Sequence, residues 1–106
     1  MAGSRTGTIT FLFTDVEGST ALWEKYSNAM SEVLSRHDEV LRTAIKAHNG
    51  HVFKTVGDAF HATFSTAPDA LEAALEAQRA LLHEEWPETG PLRVRMALHT
   101  GAAEER

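Results

Sequence analysis

Apolar positions along the chain follow two periods. Residues 8–14, TITFLFT, are β-branched and aromatic, with apolar groups on both alternating sides, which predicts a central strand. From Asn28 to His48 the period lengthens. Met30, Val33, Leu34, His37, Val40, Leu41, Ala44, Ile45 and His48 recur at helical spacing and mark one face of a long helix. A shorter helix fits between Gly18 and Tyr26. Asn49-Gly50 ends the long helix, with Gly50 expected as its left-handed cap.

HVFKTVGDAFHATF then reads as two strands, 51–56 and 59–64, around Gly57-Asp58. Glycine at the first turn position suits a type II′ hairpin. Such a turn pairs Val56 with Ala59, Thr55 with Phe60, Lys54 with His61 and Phe53 with Ala62. Phe53, Phe60, Ala62 and Phe64 would form a core face, and Lys54, His61 and Thr63 a polar one. Thr66, Pro68 and Asp69 have the spacing of a helix start. That helix runs to about Glu84, with Leu71, Ala74, Leu75, Gln78, Leu81 and Leu82 along one side. WPETGP is a loop, and residues 92–98, LRVRMAL, alternate as a half-buried strand.

The order β-α-α-β-β-α-β predicts an α+β sandwich of ferredoxin-like or palm type, with helices on one face of a mixed sheet. The last strand is followed only by HTGAAEER, so the fold is expected to be incomplete at its C-terminus. Residues 1–6 are expected to form a flexible end, and residues 7–106 a partial domain.

With 106 residues, one domain is the limit. The apolar fraction of 42% and charged fraction of 24% fit an ordinary globular chain. A net charge of −5 argues against a nucleic-acid partner, which needs clustered Lys and Arg. No apolar run approaches a membrane span of about 20 residues, and MAGSRTG has no apolar stretch behind its arginine. The absence of cysteine removes disulfides and thiolate metal sites, which fits a cytoplasmic setting.

Chemistry concentrates in FLFTDVEGST, where a strand ends on Asp15 and runs into Gly18-Ser19-Thr20. Asp58 stands at the hairpin tip. Mg²⁺ takes one or two carboxylates plus phosphate oxygens, and backbone N–H groups opening a helix receive anions. Spacing alone leaves a plain turn and strand end as an equal alternative.

FTDVEGST, KTVGDAF and VRMALHTG, in this order and at these separations, resemble the catalytic domain of class III adenylate/guanylate cyclases over residues 7–106. The resemblance implies that Asp15 and Asp58 bind two Mg²⁺ or Mn²⁺ ions, joined by the backbone carbonyl of Val16. It implies that Gly18, Ser19 and Thr20 cradle a triphosphate and that Arg95 contacts phosphates. Lys54 occupies the base-recognition position, where the family has Lys for adenine and Glu for guanine. An ammonium donor suits adenine N1, an acceptor, so ATP is favoured over GTP. The implied reaction is attack of the ribose 3′-oxygen on the α-phosphate, giving cyclic AMP and pyrophosphate. The implied assembly is a homodimer, one chain supplying the metal aspartates and the other the base contacts.

The family also carries an Asn, an Arg and a second base-recognition residue beyond the later strand, and no residue here matches them. A chain without these groups is expected to be weak or inactive, since losing electrostatic stabilisers costs about 10² or more in rate. Ala97 and His61 also depart from the family's usual Gly and Met. Two other readings stay open. One is a non-catalytic nucleotide-binding or dimerisation remnant of a signalling regulator. The other is a haloacid-dehalogenase-like phosphatase, whose Asp-x-Asp-Gly-Thr motif FTDVEGST approaches but with Glu17 as the second acid. His48, His51 and His99 read as structural, and Trp23 and Trp86 as covers for the core edge.

Overall fold

The computed structural model describes residues 5–105, and the side-chain surroundings of residues 7–102. Residues 1–4, assigned above to the flexible end, lie outside the described residues. The chain runs β1 (Arg5–Val16), α1 (Ser19–Lys25), α2 (Ser27–Ala47), β2 (His51–Val56), β3 (Ala59–Phe64), α3 (Ala67–His83) and β4 (Val94–Glu105). This is the expected ferredoxin-like succession. β1 starts two residues inside the stretch read as loose.

Strand order is β2-β3-β1-β4, and every neighbouring pair is antiparallel. The expected mixed sheet is therefore corrected. The crossover through α1 and α2 returns the chain in the direction of β1 but one strand's width away. The hairpin strand β3 fills that gap running the other way, so no parallel neighbours arise. β4 is also longer than expected. HTGAAEE continues the strand, and its backbone pairs along β1 as far as Arg5 opposite Glu105. Its Gly, Ala and Glu residues carry little strand propensity, and the ladder to β1 overrides it.

Both helices α2 and α3 pack on one face of the sheet. Leu12 and Val16 of β1, Phe60, Ala62 and Phe64 of β3, and Met30, Val33, Leu41, Ala44 and Ile45 of α2 are buried together. Fully burying a Leu or Phe stabilises by about 1.5–3 kcal/mol each. The stripe read on α2 is the buried one. His37 lies within it, edge-on to the Phe60 ring at 5.6 Å.

On α3 the expected face holds at Ala74, Gln78 and Leu81 but not at Leu71, Leu75 and Leu82. Ala70, Ala73, Ala74, Ala77 and Leu81 are buried, whereas Leu71, Leu75 and Leu82 are 49, 40 and 78% exposed. Alanine lets the helix lie close to α2 and the sheet, a contact that larger side chains would hold apart. Gln78 Nε2 donates to the Val94 carbonyl at 2.8 Å and ties α3 to β4. Thr66 caps the helix as read, its Oγ1 accepting from Asp69 N–H at 3.2 Å. Trp86 packs against the core and donates to the Leu81 carbonyl, but Trp23 stays 40% exposed.

Two further departures lie in the hairpin and at the end of α2. Gly57 has φ 58° while Asp58 keeps a negative φ, as a type II′ turn requires. The pairs Val56–Ala59, Thr55–Phe60 and Lys54–His61 form, but then the register slips. Val52, not Phe53, faces Ala62. Phe53 is the extra residue of a bulge and turns away from the core, its ring 6.2 Å from Phe11 and 6.0 Å from His61. At the end of α2, Asn49 holds the left-handed conformation (φ 64°), not Gly50. Gly50 N–H donates to the Ile45 carbonyl at 2.8 Å and Asn49 N–H to the Lys46 carbonyl, which closes a Schellman motif.

Gly50 is needed for space rather than for φ. A Cβ there would lie 2.4 Å from Phe64 Cε2 and 2.7 Å from Ile45 Cγ2, and both side chains are buried. Gly50→Ala is expected to cost about 1–3 kcal/mol. Urea unfolding should show a lower midpoint at an unchanged slope.

Candidate active site

Alternation along β1 sends Thr10, Leu12, Thr14 and Val16 to the helix side and Phe11, Phe13 and Asp15 to the uncovered face. The uncovered face is aromatic as well as polar. Phe13 stacks on Phe11 at 5.9 Å and meets His61 edge-on at 5.1 Å, and His99 lies beside Phe11 at 6.4 Å. Asp15 comes at the end of this strip, where β1 runs into the turn before α1.

Register then decides its neighbours. Asp15 stands directly opposite Arg95 of β4. Arg95 Nε donates to Asp15 Oδ1 and Nη2 to Oδ2, both at 2.8 Å, so the guanidinium engages both carboxylate oxygens. On the other edge of β1, Thr14 pairs with Phe60, which brings the β2–β3 turn alongside. There Asp58 Oδ1 accepts the Val16 N–H at 3.1 Å. The two acids read from the sequence thus meet at one strand end, although 42 positions separate Asp58 from Val16.

The following turn is also tied down. Glu17 N–H donates to the Arg93 carbonyl at 2.9 Å, and Arg93 Nη1 lies 3.9 Å from Glu17 Oε2. Gly18 then takes φ 67°, ψ 28°, which glycine adopts without strain, and α1 starts at Ser19. Phe13, Asp15, His61, Arg95, Met96 and Ala97 line an open groove of about 290 Å³ on this face.

Asp15, Val16, Asp58 and Arg95 therefore come together, with Gly18 on the adjoining turn and Ser19 and Thr20 opening α1. Lys54 does not line this groove. It faces His61 on the same uncovered side of the sheet and lines another with Arg42, Val52, Phe53 and Thr55. Phe13, His61 and Arg93 were not singled out for this site. The alternation of β1 already put Phe13 beside Asp15, but the cross-strand neighbours depend on register.

The half-buried Asp15 and Asp58 carboxylates and the Val16 carbonyl are hard-oxygen donors, a set whose chemistry fits Mg²⁺ or Mn²⁺. Among the described residues no group of three or more His, Asp or Glu could hold a metal unaided. His48 instead pairs with Glu76 at 2.8 Å, away from His51. Among the described residues no helix is long and apolar enough to cross a membrane.

The family profile of the adenylate and guanylate cyclase catalytic domain matches residues 1–104. An adenylate cyclase of Lachancea kluyveri is 40% identical over 83 residues, covering 78% of this chain and 4% of its own length. An uncharacterized protein of Mycobacterium bovis is 39% identical over 103 residues, covering 95% of this chain and 34% of its own. Among solved structures, an adenylate cyclase of Trypanosoma brucei in its monomeric state superposes with a TM-score of 0.85 at 27% identity. That match covers 90% of this chain and 57% of the other. The chain thus spans a small part of its curated relatives and little over half of the solved domain.

Arg95 sets the protonation of its partner. Its hydrogen bonds, and then its charge, hold the Asp15 carboxyl below the ordinary 3.8. Since the folded value lies below the unfolded one, the pair's stabilisation is present above pH 3.8 and is lost as the pH falls through the depressed value. A carbon-detected NMR titration should find the Asp15 midpoint below 3.8, moving up toward it in Arg95→Gln.

Proposed function

As the chain belongs to the adenylate and guanylate cyclase catalytic domain family, we propose that it serves the conversion of ATP to cyclic AMP and pyrophosphate. The observation that carries this reading is the meeting of Asp15 and Asp58 through the Val16 amide, with Arg95 beside them. Asp15, Asp58 and the Val16 carbonyl would hold Mg²⁺ or Mn²⁺. When bound, the two ions would lower the pKa of the ribose 3′-hydroxyl and neutralise charge on the leaving pyrophosphate.

The chain's own residues supply the rest. Backbone N–H groups at Gly18, Ser19 and Thr20 would receive phosphate oxygens where the turn opens α1. Arg95, fully charged and forked, would bind the triphosphate bidentately. Lys54 would donate to adenine N1, an acceptor where guanine presents a donor. Its place outside the Asp15 groove supports a homodimer in which the Lys54 of one copy serves the aspartates of the other. A cytoplasmic setting, where ATP is at hand, belongs to the same reading.

Incubation with Mn²⁺ and ATP, followed by mass spectrometry, tests it. Weak formation of cyclic AMP is expected from the native chain and none from Asp58→Asn, which keeps an oxygen acceptor for Val16 N–H but removes the charge. Failure of both chains to bind ATP with Mn²⁺ would overturn the reading. Binding without product would reduce it to nucleotide holding. Lys54→Glu is expected to move the ATP:GTP binding ratio toward GTP by about tenfold, the worth of one reversed hydrogen bond. An unaltered ratio by calorimetry would remove Lys54 from base recognition.

A further inference from the structure

The bond between Arg95 and Asp15 has a chemical consequence for the site proposed above. Both oxygens of Asp15 are engaged by one guanidinium, in good geometry, at 2.8 Å. Arg95 feels the charge of Glu17 and Asp58 as well as that of Asp15. One cation therefore sits on Asp15, with the Asp58 carboxylate on the next amide along the strand, at the place where a divalent ion would stand. As a plain cross-strand ion pair between exposed residues it would contribute little to the sheet. As a counter-ion on a metal ligand it contributes much more to what can bind.

We infer that Arg95 masks Asp15 in the nucleotide-free chain, and that a triphosphate draws Arg95 off and hands the carboxylate to the metal. This rests on the metal and triphosphate roles proposed for Asp15 and Arg95. The guanidinium has two competing partners, a carboxylate and a phosphate, and engages either bidentately. Arg95 and Asp15 are 64 and 43% exposed along their side chains, so the exchange needs no opening of the core. Free divalent metal meets an occupied carboxylate, whereas metal that arrives with triphosphate meets a vacated one. The two ligands are thereby coupled, and the coupling is reciprocal.

Electron paramagnetic resonance of free Mn²⁺, titrated with the full chain and no nucleotide, tests the mask. Arg95→Ala and Arg95→Gln are expected to bind Mn²⁺ more tightly than the native chain, by up to about fivefold, the scale of one exposed ion pair. The gain should vanish when Asp15→Ala is added to either variant. Circular dichroism confirms the fold of each variant, and two replacements guard against a defect peculiar to one. Arg95 variants that bind Mn²⁺ no better than the native chain overturn the mask. A gain that survives Asp15→Ala overturns the metal role of Asp15 itself, and with it the inference. The hand-over has its own readout in the nitrogen-15 resonance of Arg95 Nε. Inorganic triphosphate without metal should move it toward its position in Asp15→Asn. A resonance that triphosphate leaves unmoved overturns the exchange.

Discussion

β1 must be paired along both edges and covered on one face only, and the rest of the molecule follows from that constraint. Its buried side, Thr10 to Val16, needs α2 and α3. Its edges need β3 and β4 in fixed register. Once those pairings form, the residue at the end of its open side has no freedom left. Asp15 receives Arg95 from one neighbour, and the next amide along the strand receives Asp58 from the other. No single element carries the candidate site. It exists because two antiparallel ladders converge on the same strand end, and each is held by a core on the far side of the sheet.

Legibility varied with the range of the interaction. The buried stripe of α2, the Thr66 cap and the type II′ turn are local, and sequence spacing alone located them. Positions that depend on two elements approaching were harder. The leucines of α3 outrank its alanines on any hydrophobicity scale, yet Ala70, Ala73 and Ala77 are buried because the space beneath the helix is shallow. Phe53 looked like core until a bulge displaced it by one position. Gly50 carries a glycine for lack of room, while its neighbour Asn49 takes the strained backbone. HTGAAEE has almost no strand signal, and only its partner makes it one.

The site follows the same division. Residue types nominated Asp15, Asp58 and the Gly18-Ser19-Thr20 turn, and the family resemblance added Val16, Lys54 and Arg95. What the sequence could not express is that Arg95 and Asp15 are cross-strand partners, so that one nominated ligand lies on another. Nor could it express that Lys54 serves a different groove from the one beneath Asp15. Both facts come from register, which is a property of pairs of strands.

The alanine face of α3 has a meaning beyond packing. A methyl group is the smallest side chain that still excludes water, so Ala70, Ala73 and Ala77 act as a gauge for how far the helix stands above the sheet. Gln78, on the next turn, reaches the Val94 carbonyl from that height, one residue before Arg95. Enlarging any of these alanines would lift the helix and strain the link to β4. The tolerance of the guanidinium's position is therefore written in residues on the opposite face of the sheet.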